Sequence, residues 1–114
     1  MKSPSAGTAK ENRGRAPEIV ESSALSLEQK KDLLNRLARI EGQLRGVQKL
    51  VAIADSAADC SAVAQQMAAA RKALDRSFVQ LLTSTMVTQS ASASDLAQAQ
   101  ASASSLAAML DKFA

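Results

Sequence analysis

The sequence contains no histidine, tryptophan or tyrosine, and only one cysteine, two prolines and two phenylalanines among 114 residues. Each shortage removes a class of function. Without histidine the chain lacks the side chain that most often serves as general base near neutral pH and as metal ligand. A single cysteine, Cys60, forbids an intrachain disulfide. No nucleophile stands beside a base at a recognisable spacing and no glycine-rich phosphate loop is present, so the chain is not expected to be an enzyme. Two phenylalanines make no stacking platform for single-stranded nucleic acid, and no helix-turn-helix pattern is present. No apolar run reaches membrane-spanning length, and the opening MKSPSAGTAKENRGRAPEIV lacks the apolar block of a secretory signal. The expected location is the cytoplasm, with no membrane partner.

What is present is helical patterning around a basic window. The length supports one domain. Residues 1–26 mix Ser, Ala, Gly, Pro and charge with no apolar period, and read as a flexible tail ahead of a folded domain at 27–114. The tail's cations, Lys2, Lys10, Arg13 and Arg15, would add at most weak phosphate contacts. Ser26 is placed to cap a first helix opened by Leu27, Glu28 and Gln29.

From Leu33 the residues Leu37, Ile40, Leu44, Val47, Val51 and Ala54 recur at alternating spacings of four and three, a heptad seam. Such a seam must bury itself against other helices. Within it, the stretch RLARIEGQLRGVQKLV carries Gly42 and Gly46, each costing about 1 kcal/mol in a helix interior relative to alanine. Close approach by a neighbouring helix or a ligand would account for them, unless the two glycines are simply tolerated. Asp55, Ser56 and Asp59 interrupt the seam, and any of them suits the cap of a second helix running to about Thr88. That helix continues the pattern with Val63, Met67, Ala70, Leu74, Phe78, Leu81 and Thr85. The small residues Ser90 to Ser94 read as a loop, Asp95 as a cap, and Leu96, Ala99, Ala103, Leu106, Leu110 and Phe113 as the stripe of a third helix.

The expected fold is therefore all-α, with three helices per chain and the first two forming an antiparallel hairpin. A single hairpin leaves apolar stripe uncovered; pairing two of them into a four-helix bundle would cover it.

Between residues 30 and 49 six cations, Lys30, Lys31, Arg36, Arg39, Arg45 and Lys49, face only Asp32 and Glu41. A window of that charge suits a polyanion. Arg36, Arg39 and Gln43 share one helix face, which can lie along a nucleic-acid backbone or simply be solvated beside Asp32 and Glu41. Cys60 falls near the start of the second helix, where the helix dipole favours an anionic sulfur. It reads either as a reactive or metal-binding sulfur or as a small buried apolar residue.

These stretches, RLARIEGQLRGVQKLV, then Cys60 after a short turn, then QQMAAARKALDRSF, resemble the metal-sensitive transcriptional repressors of the copper-sensitive operon and nickel/cobalt type, which also include formaldehyde and persulfide sensors. The resemblance spans about residues 27 to 113. It implies an all-helical homodimer built as an antiparallel four-helix bundle, commonly paired into a homotetramer, that represses transcription by binding double-stranded operator DNA through a basic face and lets go when an effector binds. By position it implies DNA contacts at Arg36 and Arg76, with Arg39, Gln43 and Lys72 as neighbours, and an effector site at Cys60. In the copper sensors that cysteine pairs across the dimer with a histidine and a second cysteine, whose positions here hold Thr85 and Gln89. Neither supplies the soft or imidazole donor that Cu(I) or Ni(II) prefers. Met86 nearby carries a thioether, though methionine on a helix ordinarily packs. Three readings of Cys60 are left, a lone thiol that reacts with an electrophile or oxidant, a partial metal ligand completed by unexpected donors, or a vestige, and the first is favoured. The expected function is thus an effector-released DNA-binding repressor; the rival is a helical oligomeric interaction module that has lost sensing or DNA binding.

Overall fold

The computed structural model describes residues 17–113; residues 1–16, most of the expected tail, and Ala114 lie outside the described residues. Three helices follow in order, α1 (Leu27–Ile53), α2 (Ala57–Ser92) and α3 (Leu96–Phe113), and there is no strand among the described residues.

Each helix starts at a side chain that takes otherwise unpaired backbone N–H groups. Ser26 caps α1: its hydroxyl accepts from Gln29 N at 3.1 Å while Gln29 Oε1 accepts from Ser26 N at 2.8 Å. For α2 the sequence offered three candidates. Ser56 is the cap, accepting from Asp59 N at 3.1 Å, and Asp59 is its partner, accepting from Ser56 N at 3.2 Å and Asp55 N at 3.0 Å. Asp95 accepts from Gln98 N at 2.8 Å and opens α3.

The second helix runs past Thr88 to Ser92, so most of the expected Ser90–Ser94 loop is helical and only Ala93 to Asp95 link α2 to α3. No glycine or proline stands there to stop it, and alanine is the best helix former. The Ser92 hydroxyl donates to Gln89 O at 3.2 Å, which ties down a last-turn carbonyl.

α1 and α2 pack antiparallel, as three cross-links show. Gln29 on the first turn of α1 accepts from the Thr88 hydroxyl at 2.7 Å and donates to Ser84 O at 3.4 Å, and Gln80 donates to Asp32 at 2.6 Å. Alternate members of the α1 seam enter this contact: Ile40 and Val47 are buried, with Leu33 and Ala54 half-buried, whereas Leu37, Leu44 and Val51 stay exposed. On α2 the buried positions are the small Ala70 and Ser77 together with Leu82, and the expected core residues Met67, Leu74 and Phe78 are exposed. Ser77 satisfies its hydroxyl by donating to Ala73 O at 3.0 Å.

α3 folds back along the second half of α2 and makes no packing contact with α1. Phe113 meets Phe78 edge to face, ring centroids 5.8 Å apart, and Leu82 and Leu106 are buried. Ahead of α1, Pro17, Ile19, Val20 and Leu25 line a shallow cavity with Leu33, Leu34 and Leu37, and Lys30 Nζ donates to Val20 O.

Candidate nucleic-acid interface

The hairpin register decides which cations meet. Arg36, Arg39, Ile40 and Gln43 of α1 and Ala73, Arg76 and Ser77 of α2 line one shallow cleft of about 150 Å³. Of its lining, Ile40 and Ser77 are buried, while Arg36, Arg39, Gln43 and Arg76 are exposed. Four of the five residues expected to touch DNA are thereby gathered from two helices. The fifth, Lys72, is exposed on α2 one turn before Arg76 but does not line the cleft.

The charge of the cleft is little compensated. Among the described residues the one ion pair joins Arg36 Nε to Asp32 Oδ2 at 3.5 Å, with the Arg36 side chain 47 % exposed. Arg39, Lys72 and Arg76 therefore have no carboxylate within ion-pair distance among those residues. Exposed pairs of this kind contribute little to stability, so the cations are available to an anionic partner. Sequence reasoning noted Asp32 only as a neighbouring acid and missed Gln80, whose amide reaches Asp32 from α2. The Asp32–Arg36 spacing of four is a sequence signal; the Gln80 contact depends on the interhelical register, which no local pattern records.

Cys60 is exposed on the first turn of α2, its N–H donating to Ser56 O at 3.1 Å. Beside it, backbone N–H groups of Asp55 and Ser56 hold the Asp59 carboxyl below its usual value. Thr85 and Gln89 lie far along the same helix: twenty-five residues at about 1.5 Å each put Thr85 roughly 37 Å from Cys60. The Thr85 hydroxyl already donates to Leu81 O at 2.8 Å, and Gln89 Oε1 is buried with no hydrogen-bond partner. No cluster of three His, Cys, Asp or Glu side chains that would hold a metal exists among the described residues. One thiol, one engaged hydroxyl and one amide do not fit Cu(I) or Ni(II), which take soft sulfur and imidazole.

The described residues thus form three helices, with a cationic cleft across the hairpin of the first two. The family model described as metal-sensitive transcriptional repressor matches residues 29–112, and the chain belongs to that family, one of transcriptional regulators. Neither the curated proteins nor the solved structures give a match. No helix among the described residues is long and apolar enough to cross a membrane.

Proposed function

We propose that the protein represses transcription by binding operator DNA as a homodimer or homotetramer, with the cleft on each hairpin seated on the phosphate backbone. The observation that carries this reading is the convergence of Arg36, Arg39 and Gln43 from α1 with Arg76 from α2, nearly free of carboxylates. Arginine forks clamp phosphate oxygens and stay charged at any physiological pH. Contacts of this kind fix position on the duplex; sequence preference then comes from groove contacts or from duplex shape.

The effector is read at or near Cys60. Because the positions of Thr85 and Gln89 offer no soft donor, a thiol-reactive small molecule is favoured over a metal ion, and release needs only that the two states differ in DNA affinity. An operator-release screen of Cu(I), Ni(II), aldehydes, persulfides and peroxides, run on wild type and Cys60→Ser, separates these. Thiol-reactive agents should release the wild type and not the variant; release by stoichiometric Cu(I) or Ni(II) would refute the thiol reading.

Binding itself is tested by titrating the chain's own upstream DNA at several salt concentrations. Affinity should fall steeply with salt, and Arg36→Ala and Arg76→Ala should each weaken binding and lower the salt slope by about one. Absence of any complex would favour the rival reading, an interaction module, to which the exposed apolar stripe also lends itself.

A further inference from the structure

Asp32 sits near the start of the basic window, where simple electrostatics makes a carboxylate unfavourable for binding a polyanion. Its contacts suggest a different role. Oδ2 of Asp32 lies 3.5 Å from Arg36 Nε and accepts a 2.6 Å hydrogen bond from Gln80 Nε2. Both contacts fall on one oxygen, so a carboxylate of α1 is fixed by an amide of α2. Gln80 is half-buried between the helices, and its Oε1 is buried with no hydrogen-bond partner. The Asp32 carboxylate is thus the one hydrogen-bond partner of that amide among the described residues.

A guanidinium has two binding edges, one formed by Nε and one terminal nitrogen, the other by the two terminal nitrogens. Asp32 engages Nε. The terminal pair, which makes no hydrogen bond among the described residues, keeps the fork geometry that matches phosphate. A free surface arginine samples many rotamers, and a ligand that fixes it must offset that lost freedom. An arginine biased toward one place by a fixed carboxylate beside Nε has less freedom to lose.

We infer that Asp32, anchored by Gln80, is a positioning residue for Arg36: it holds the guanidinium at the cleft with its phosphate-matching edge free. The inference rests on the reading of the cleft as a DNA interface. Its signature is a sign. Removing a negative charge from a DNA-binding surface should strengthen binding, whereas removing a support should weaken it.

The test is a double-mutant cycle on operator affinity at fixed salt, using wild type, Asp32→Asn, Arg36→Ala and the double variant, each matched for helicity and oligomeric state. Asp32→Asn should bind about fivefold to tenfold more weakly despite its gain in net positive charge, and in the Arg36→Ala background the same substitution should cost nothing. Gln80→Ala, which changes no charge, should also weaken binding, by about twofold to threefold. Tighter binding by Asp32→Asn, or an equal loss with and without Arg36, would overturn the positioning role. If Arg36→Ala binds as wild type does, the cleft reading itself fails, a result distinct from failure of the support.

Discussion

Asp59 shows how much one side chain sets at the start of α2. It accepts from Asp55 N and Ser56 N, and these two bonds, the Asp55 one foremost, hold its carboxyl below the usual 3.8. A carboxyl lowered in the folded state contributes stability that is fully present above its unfolded value and is lost as pH falls through the folded one. The α2 start should therefore be unchanged from pH 8 to 5 and loosen only below 3.8. Amide exchange at Ala57 to Cys60 checks this, and Asp59→Asn should speed that exchange at neutral pH and flatten its acid dependence. Among the cations, Arg76 lines the cleft and Lys72 does not, so Lys72→Ala should weaken DNA binding less than Arg76→Ala in the same titration. Much of this was legible in sequence. Arg36, Arg39 and Gln43 share a face by spacing alone, and Ser26 and Asp95 announce helix starts. Which of Asp55, Ser56 and Asp59 would cap was not, because all three side chains can accept from a backbone N–H.

At the scale of elements, the heptad patterns located all three helices but did not say which half of each seam the hairpin would use. Leu33, Ile40 and Val47 turn inward while Leu37, Leu44 and Val51 do not, and on α2 the contact falls to Ala70 and Ser77 rather than to the larger Met67, Leu74 and Phe78. Periodicity gives a stripe; the choice of partner is a tertiary matter. Small residues on α2 bring the helices close, so Ala70→Leu should overpack the contact and cost about 1–3 kcal/mol in chemical denaturation. The two glycines of α1 behave otherwise. A Cβ at Gly42 or Gly46 would meet nothing within 4 Å, so no helix of the same chain approaches them. Both are exposed positions in a helix interior, where alanine is favoured by about 1 kcal/mol. Gly42→Ala and Gly46→Ala should each raise the denaturation midpoint accordingly. A loss of assembly or of DNA binding in those variants would place the close approach between molecules.

Among the described residues α1 packs on α2, and α3 packs on α2 alone. Leu33 and Leu37 of α1 and Leu74, Asp75, Ser77, Phe78 and Leu81 of α2 line an open, mostly apolar groove of about 430 Å³. Each such apolar side chain brought fully out of water contributes about 1.5–3 kcal/mol, and a single chain leaves part of that contribution unrealised, with Leu74 50 % exposed, Phe78 38 % and Leu37 36 %. A second hairpin laid on this face would realise it, and a two-fold pair would set two cationic clefts in symmetric relation. Stability should then depend on protein concentration, with the thermal midpoint rising as concentration rises. Leu74 separates this from an independently stable monomer. It is 50 % exposed in the single chain, so Leu74→Glu should cost little there. In a paired bundle the same substitution buries an unpaired carboxylate, and the protein should dissociate in sedimentation and melt at a lower, concentration-independent temperature. A Leu74→Glu variant that sediments and melts as wild type does would refute pairing through this face.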